Sequence, residues 1–259
     1  MTDQPKALQG KVAIVTGASR GIGKGIAVVL AREGAAVVVA ARTEQPGPLP
    51  GTIHETAQAI TVGGGQALAV RCDVTQEHDV QALVRQTLEH FGRVDLLVNN
   101  AGGSSSFESV ERYPLHRFDR VVALNIRGTF LCSQAVLPAM LAQRSGVIVN
   151  ISSDSGSEFA FPNDTVYGMA KAAVERFGRG LADEVKRHNI SVFSLLPGKV
   201  KTEGALAIHP PDFDWAGWVE PEDVGPAVVR LAQQGPGACT MPVVSIEELI
   251  PHRSQEGLR

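Results

Sequence analysis

The chain has 259 residues, 44% of them hydrophobic, and a net charge of −3 at pH 7. This length and composition predict one α/β domain with a large core. The near-neutral charge predicts neither a nucleic-acid nor an anionic-membrane partner. No apolar run is long enough to span a membrane, and residues 1–11 lack the apolar stretch of a secretory signal. The three cysteines, Cys72, Cys132 and Cys239, are scattered without metal-ligand or redox spacing, which predicts no metal site and a reducing, cytoplasmic location.

A glycine-rich turn joins the first predicted strand, residues 12–15, to a predicted helix that includes residues 26–31. The turn reads Thr16-Gly17-Ala18-Ser19-Arg20-Gly21-Ile22-Gly23. Glycine lets the backbone approach a phosphate closely, and a helix N-terminus offers unpaired N–H groups and partial positive charge. The spacing G-x-x-x-G-x-G therefore predicts a dinucleotide phosphate site, although a tight turn with close helix packing would use the same glycines.

The second predicted strand, residues 36–41, ends where a dinucleotide fold meets the adenosine ribose. An acidic residue there suits NAD because it accepts a hydrogen bond from the ribose 2′-hydroxyl. This chain has Arg42 and Thr43 after Ala41, and a guanidinium can bind a 2′-phosphate bidentately. Arg42, with Arg20 from the glycine turn, thus predicts NADP(H) over NAD(H), which stays possible. The alternative is that both arginines are solvated surface residues.

A proline- and glycine-rich loop, residues 44–51, precedes a helix that Thr52 can cap and that ends near residue 62. A strand over 67–71 follows, and Asp73 or Thr75 is placed to cap a helix over 77–91. The next strand, 94–98, ends in Asn99-Asn100-Ala101-Gly102. Ligands bind at such carboxyl ends of parallel strands.

A long apolar helix is predicted over residues 114–143, with Asn125 inside it. A mid-helix asparagine competes with the backbone unless it is hydrogen-bonded, so Asn125 serves either the core or a site. The strand over 147–151 then ends in Ser152-Ser153.

Tyr167 and Lys171 open a predicted helix to residue 188 and lie on one face of it, at i and i+4. A strand over 190–196, the pair Pro197-Gly198, a loop over 199–218 and a helix over 221–233 complete the pattern. Strands that alternate with helices predict a doubly wound parallel sheet with helices on both faces. No repeat or domain boundary is evident, so residues 1–259 are expected to form a single domain.

These motifs, over residues 10 to about 233, together resemble the classical short-chain dehydrogenases/reductases. The resemblance implies a seven-stranded Rossmann-like sheet, a nicotinamide cofactor and a catalytic tetrad of Asn125, Ser153, Tyr167 and Lys171. It also implies that Asp73 and Val74 hold the adenine and Asn99 the nearby ribose. The full set of expected cofactor contacts is Gly17, Ser19, Arg20, Gly21, Ile22, Gly23, Arg42, Thr43, Asp73, Val74, Asn99, Ala101, Gly102, Tyr167, Lys171, Pro197, Gly198, Val200 and Thr202.

The chain departs from the family pattern in two places. The gap from Ser153 to Tyr167 is one residue longer than usual, so Ser155 competes as the catalytic hydroxyl. Ser153 is preferred because Gly156 and Pro162 then fall where the family has them. The C-terminal segment, residues 234–259, lacks the usual Asp-Gly-Gly-like turn, which leaves the last strand in question.

A shorter resemblance narrows the substrate class. Arg42-Thr43, the proline-rich insert and Pro50-Gly51-Thr52-Ile53-His54 are similar to a branch with hydroxysteroid-dehydrogenase-like proteins and citronellol/citronellal dehydrogenases. The expected activity is hydride transfer between the cofactor and an apolar alcohol, ketone or aldehyde. Alternatives are acyl-chain 3-oxo substrates, an epimerase or enoyl reductase, and a regulator without turnover, which would be expected to lack Tyr167 or Lys171.

The tetrad carries a chemical expectation for each residue. Tyr167 is the acid/base. The Lys171 ammonium one helical turn away, together with the cationic nicotinamide ring in the oxidised complex, is expected to lower the pKa of Tyr167 from its usual value of about 10. Ser153 would hold the carbonyl oxygen, and Asn125 would anchor a water that links Lys171 to solvent.

Two segments are expected to wall the substrate space. They are residues 155–161, with Phe159 and Phe161, and the loop 199–218, with Leu206, Ile208, Phe213, Trp215 and Trp218. The loop either closes as an apolar lid or is simply pinned to the fold by its tryptophans. The helix after Tyr167 has more apolar positions than one sheet face needs, which predicts a homodimer or homotetramer. Those positions are Ala172, Ala173, Val174, Phe177, Leu181 and Val185.

Overall fold

A seven-stranded parallel sheet, ordered β3-β2-β1-β4-β5-β6-β7, dominates the computed structural model, which describes residues 6–157, 161–234 and 243–250. The strands are β1 Val12–Thr16, β2 Ala36–Ala41, β3 Gln66–Arg71, β4 Leu96–Asn99, β5 Gly146–Ile151, β6 Ile190–Leu196 and β7 Val243–Ser245. The strand order reverses between β1 and β4, where a doubly wound sheet opens a crevice at the strands' carboxyl ends. The predicted sheet is therefore confirmed.

Helices cover both faces of this sheet. They are α1 Gly21–Arg32, α2 Ile53–Val62, α3 Glu77–Phe91, α4 Leu115–Val121, α5 Gly128–Gln143, α6 Thr165–Val185, α7 Glu203–Ile208, α8 Gly225–Ala232 and α9 Ile246–Leu249. One buried cluster unites α1, α2 and α8 with side chains such as Val15. The other unites α3, α5 and α6 with Ile14, which points to the opposite face. Because successive strand residues alternate faces, strands buried on both sides read as continuous apolar runs.

The start of α2 follows the prediction. Thr52 Oγ1 accepts a hydrogen bond from Glu55 N at 3.1 Å, and Glu55 Oε2 accepts one from Thr52 N at 3.0 Å. This reciprocal capping box satisfies two backbone donors, and Gly63 ends the helix as expected.

The start of α3 differs from the prediction, because neither Asp73 nor Thr75 caps it. Gln76 is its N-terminal residue and makes no side-chain capping bond. Asp73 Oδ1 instead accepts from Thr75 N at 3.0 Å and from Thr75 Oγ1 at 2.8 Å. An aspartate that accepts hydrogen bonds from the residue two positions ahead forms its own turn. The Asp73 carboxylate is therefore already hydrogen-bonded and does not cap the helix.

The predicted helix over 114–143 is three segments. A π-helical turn, Val122–Arg127, lies between α4 and α5 and contains Asn125. Such turns insert one extra residue into a helix and are frequent at functional sites. By length and apolar composition alone, the whole segment Leu115–Gln143 is long enough to cross a membrane. Leu131 and Met140 are buried against the sheet, which accounts for that composition.

The segment over 199–218, expected to be a loop, contains α7. Thr202 Oγ1 caps this helix by accepting from Ala205 N at 3.1 Å. After α7, four aromatic rings pack together with centroids 4.0 to 5.8 Å apart. They belong to His209, Phe213, Trp215 and Trp218. All four rings belong to the segment itself, so this packing joins its residues to one another.

The C-terminal part of the sheet is more regular than the sequence suggested. β7 pairs with β6 in parallel, with Val244 opposite Leu195, and leads directly into α9. The predicted helix over 221–233 begins as a 3-10 turn, Pro221–Val224, and continues as α8. Cys239, Phe159 and residues 251–259 lie outside the described residues.

Candidate active site

A cleft of about 500 Å³ opens at the carboxyl ends of β1, β4, β5 and β6. Most of the predicted site residues line it: Gly17, Arg20, Gly21, Ile22, Gly102, Ser153, Tyr167, Lys171, Pro197, Gly198, Val200 and Thr202. The other predicted site residues are not among those that line it: Ser19, Gly23, Arg42, Thr43, Asp73, Val74, Asn99, Ala101 and Asn125. The sheet therefore brings residues from both halves of the sequence to one crevice.

The glycine turn is built for close backbone approach. Gly17 and Gly21 have φ values of +66° and +55°, in the left-handed region that favours glycine. A Cβ added to Gly17 would lie 2.9 Å from Ala101 Cα. The turn thus packs directly against the segment after β4, and larger residues would push the two apart.

The N-terminus of α1 already binds an anionic group. Gly21 N donates a hydrogen bond to Glu203 Oε2 at 2.8 Å, and Glu203 lies at the start of α7. A carboxylate takes this position because the helix N-terminus offers a free N–H group and partial positive charge. The site therefore fits the phosphates of a dinucleotide, since a carboxylate oxygen occupies the kind of position that a phosphate oxygen would take.

Asn99 lies elsewhere than the resemblance implied. Its Nδ2 donates to Ser133 Oγ at 3.0 Å and to Asn150 Oδ1 at 2.9 Å, inside the protein. Asn100 lines the cleft instead, and its Nδ2 donates to Thr16 O at 2.8 Å. The side chain of Asn99 thus supports the sheet, while Asn100 joins the end of β4 to the glycine turn.

Arg42 and Asp73 lie together at the outer end of β2 and β3. Arg42 Nη1 is 3.7 Å from Asp73 Oδ2, and the arginine side chain is 52% exposed. Although burial raises it, hydrogen bonds from Thr75 and the charges of Arg42 and Arg71 hold the pKa of Asp73 below its usual value. Arg42 therefore has an exposed guanidinium beside an ionised carboxylate.

Arg20 is engaged differently from the prediction. Its Nε donates to Pro50 O and its Nη2 to Gly51 O, both at 2.9 Å. Two donors of Arg20 thus hold the proline-rich loop over the glycine turn rather than facing solvent. Leu49 from this loop lines the cleft, a contact that the sequence did not indicate.

Ser153 and Tyr167 both line the cleft, and hydrogen bonding by Ser153 acts to lower the pKa of Tyr167. Ser155 Oγ lies 3.3 Å from Ser153 Oγ, so both candidate hydroxyls are close together. Ser153 is the one that bonds the tyrosine and lines the cleft. Ser155 is not among the residues that line the cleft.

In the protein alone, the pKa of Tyr167 is raised to about 12, opposite to the direction expected from Lys171. Burial is the main cause and the charge of Asp164 adds to it, while the bond from Ser153 opposes both. Lys171 Nζ lies 5.5 Å from the centre of the Tyr167 ring and donates to Ile151 O at 2.8 Å. Burial also lowers the pKa of Lys171 to about 8, against the charge of Glu175, which limits how strongly the ammonium can favour a tyrosinate.

Asn125 fixes the backbone beside the lysine. Its Oδ1 accepts from Gly103 N, and its Nδ2 donates to Gly103 O and to Val121 O, all at 3.0 Å. A Cβ on Gly102 would lie 2.7 Å from Asn125 Oδ1 and 3.2 Å from Lys171 Nζ. The π-helical turn thus aims this amide at the segment after β4, whose backbone it holds next to Lys171.

Only part of the expected apolar wall faces the cleft. Phe161 and Trp218 line it, whereas Leu206 and Ile208 are 47% and 68% exposed. Trp215 packs against Trp218, with ring centroids 5.0 Å apart.

The contact of Glu203 with Gly21 had no local sequence signal, because 182 residues separate the two.

Residues 11–210 match the family model described as short chain dehydrogenase. The chain is 37% identical over 227 residues to an uncharacterized oxidoreductase of Staphylococcus epidermidis, covering 86% of this chain and 91% of the relative. It is 39% identical over 202 residues to a hydroxynaphthalene reductase-like protein of Metarhizium majus, covering 78% and 72%. Among solved structures, a hydroxysteroid dehydrogenase from Escherichia coli aligns with a TM-score of 0.79 and 33% identity, covering 92% of this chain and 95% of that one.

Proposed function

Because the chain belongs to the short-chain dehydrogenase family, we propose that it transfers a hydride between NADP(H) and an apolar alcohol, ketone or aldehyde. The supporting observation is that Ser153, Tyr167 and Lys171 line the same cleft as the glycine turn. The nicotinamide would supply or accept the hydride. Gly21 and Ile22 would contact the phosphates of the cofactor. The other side of the cofactor would contact Pro197, Gly198, Val200 and Thr202.

Tyr167 supplies the proton in the reductive direction. With a pKa of about 12, its hydroxyl stays protonated at neutral pH, which is the state that donates to a carbonyl oxygen. Ser153 Oγ donates a second hydrogen bond to that oxygen as negative charge develops on it. The Lys171 ammonium then stabilises the tyrosinate left behind. An acid held in its protonated form suits carbonyl reduction better than alcohol oxidation.

The proposed substrate is a largely apolar carbonyl compound of terpenoid, steroid or fatty type. Phe161 and Trp218 line the cleft, and aromatic side chains bury apolar surface efficiently. The relatives include a hydroxysteroid dehydrogenase and a hydroxynaphthalene reductase-like protein, whose names agree with this class. A panel of apolar, small charged and acyl-chain 3-oxo carbonyls, followed by NADPH absorbance, tests it. Turnover of the small charged compounds alone, or of none, would reject the proposal.

We also propose that α7 and the aromatic residues after it close over bound substrate. Thr202 and Glu203 line the cleft at the start of α7, and Trp218 lines it at the other end of the segment. Closure would exclude water from the reacting centre. Amide hydrogen exchange over residues 203–218 should slow when NADPH and a substrate from the panel are added. Unchanged exchange there would leave the segment as a fixed wall.

Arg42 is expected to set the cofactor preference. Arg42→Asp removes a cation and adds repulsion, so the affinity for NADPH should fall about tenfold to hundredfold, while the affinity for NADH stays within about twofold. Quenching of the combined emission of Trp215 and Trp218 during titration measures both affinities. Arg85→Asp, at a site 63% exposed on α3, is the control and should change neither. Equal affinities of the wild type for NADH and NADPH would contradict the preference.

The chain is proposed to form a homodimer or homotetramer in the cytoplasm. Three of the apolar positions expected to contact a second subunit are buried within the chain instead: Val174, Leu181 and Val185. Phe130 and Met169 on α5 and α6 remain 45% and 44% exposed, and such surfaces on neighbouring helices favour a two-fold contact. Light scattering at micromolar concentration should give a multiple of 27.4 kDa, and Phe130→Glu should shift it toward the monomer. A monomeric wild type would refute the proposal.

A further inference from the structure

We propose that Glu175 is a positioning residue that clamps the serine-bearing segment, residues 152–157, onto α6 beside Lys171. The proposal rests on the Ser153-Tyr167-Lys171 chemistry proposed above. Ser153 must hold a fixed place relative to Tyr167, yet it lies in a segment of turns rather than in a strand or a long helix. A clamp from the helix that carries Tyr167 and Lys171 would supply that order.

Glu175 reaches both ends of the segment. Ser152 Oγ donates to Glu175 Oε1 at 2.7 Å. Ser157 Oγ lies 3.0 Å from Oε1 and 3.2 Å from Oε2 of the same carboxylate. Ser152 directly precedes Ser153, and Ser157 closes the 3-10 turn Asp154–Gly156. One side chain therefore joins the start and the end of the segment that carries Ser153.

Glu175 is buried, so its carboxylate depends on these hydrogen bonds. The residue is 5% exposed, and a buried carboxylate is costly unless it is hydrogen-bonded. Charge-assisted hydrogen bonds are about twice as strong as neutral ones. The carboxylate thus holds the two hydroxyls more firmly than an amide or a water would.

Two glycines let the segment lie directly on α6. A Cβ on Gly156 would lie 2.7 Å from Lys171 Cβ and 2.8 Å from Lys171 C. A Cβ on Gly168 would lie 2.6 Å from Ser155 O. The segment therefore touches α6 at Lys171 and Gly168, one turn and two turns before Glu175. Movement of the segment would shift Ser153 relative to both Tyr167 and Lys171.

Glu175 also places a negative charge one helical turn from Lys171. This charge raises the pKa of Lys171 against the effect of burial. Asp154 on the serine-bearing segment interacts with the charges of Glu175, of Lys199 after β6 and of Glu247 on α9. Arg176 and Arg179 line the same cavity as Glu175. Removal of the Glu175 charge alone should lower the pKa of Lys171.

The test uses Glu175→Gln and Glu175→Ala in the full chain. For carbonyl reduction, kcat should fall as Lys171 loses its proton, so the alkaline limb of the wild-type profile lies near pH 8. Glu175→Gln keeps the shape and one acceptor oxygen, so it should move that limb to lower pH with little loss of kcat below it. Glu175→Ala should also lower kcat at least about tenfold at every pH, because Ser153 is misplaced. The NADPH affinity of both variants should stay close to that of the wild type.

Two further variants separate positioning from general stability. Ser157→Ala removes one end of the clamp at an exposed residue and should lower kcat without moving the alkaline limb. Combined with Glu175→Ala it should cause no further loss, because both changes break the same contact. Glu184→Gln, exposed on the same helix, should behave as the wild type.

Wild-type kcat and pH profiles in both Glu175 variants would overturn the proposal, as would a loss of thermal stability alone. The failure of the proposed function looks different. There, Tyr167→Phe would keep its activity, or no carbonyl compound in the panel would be reduced by the wild type.

Discussion

Tyr167→Phe is expected to lower kcat for carbonyl reduction by about 10²- to 10⁴-fold, the usual contribution of a positioned general acid. Phenylalanine keeps the buried ring and deletes only the hydroxyl that bonds Ser153. The affinity for NADPH and the free energy of unfolding should therefore change little. Single-turnover rates with a substrate from the panel, together with an NADPH titration, measure the two effects separately.

The chain contains one other tyrosine, which serves as the control. Tyr113 is partly buried against Val121, Val166 and Ala170, away from the cleft lining. Tyr113→Phe should leave turnover unchanged. Substantial activity in Tyr167→Phe would show that another group donates the proton, and Ser153→Ala compared with Ser155→Ala would then identify which hydroxyl matters.

Gly25→Ala is expected to destabilise the protein by about 3 kcal/mol. Gly25 lies inside α1, and a Cβ there would overlap the carbonyl group of Pro221 at the start of the 3-10 turn before α8. Backbone atoms cannot rotate away as a side chain can, so α1 and α8 would have to separate. The midpoint of urea unfolding should fall with little change in the m-value.

Gly180→Ala is the matched control in another helix. Around a Cβ at Gly180, the only atom within 4 Å is Arg176 Nη1, at 3.1 Å among the described residues. That guanidinium ends a flexible side chain and can move. Alanine favours the helix over glycine by about 0.5–1 kcal/mol, so this variant should be slightly more stable than the wild type. Equal effects of the two substitutions would contradict the packing explanation.

Local sequence patterns predicted most of the helices and strands, because burial and capping leave their mark on neighbouring residues. Apolar runs such as Ile190–Leu196 mark strands buried on both faces, and Thr52 with Glu55 marks a helix start. The family resemblance implied Ser153, Tyr167 and Lys171 as a set, and parallel strands bring their carboxyl ends to one edge of the sheet.

Contacts between distant segments were the part that sequence could not predict. Asn99 and Asn100 are adjacent and chemically identical, and only the pleat of β4 sends Asn99 into the interior. The short helix α7 has too few residues to show helical periodicity. The raised pKa of Tyr167 depends on how deeply the folded chain buries it. The Glu175 carboxylate likewise meets Ser152 across 23 residues, a distance at which spacing alone carries no signal.

The place of β1 between β2 and β4 has a consequence during synthesis on the ribosome. β2 follows β1 after one helix, but β4 follows much later: 83 residues separate Val12 from Asp95, which binds its backbone at the edge of β4. At about 5–20 residues per second, one edge of β1 stays without its partner for roughly 4–17 s. An unpaired apolar edge invites pairing with other chains. The nascent chain is therefore most prone to aggregate before β4 emerges, and slower translation would lengthen that interval.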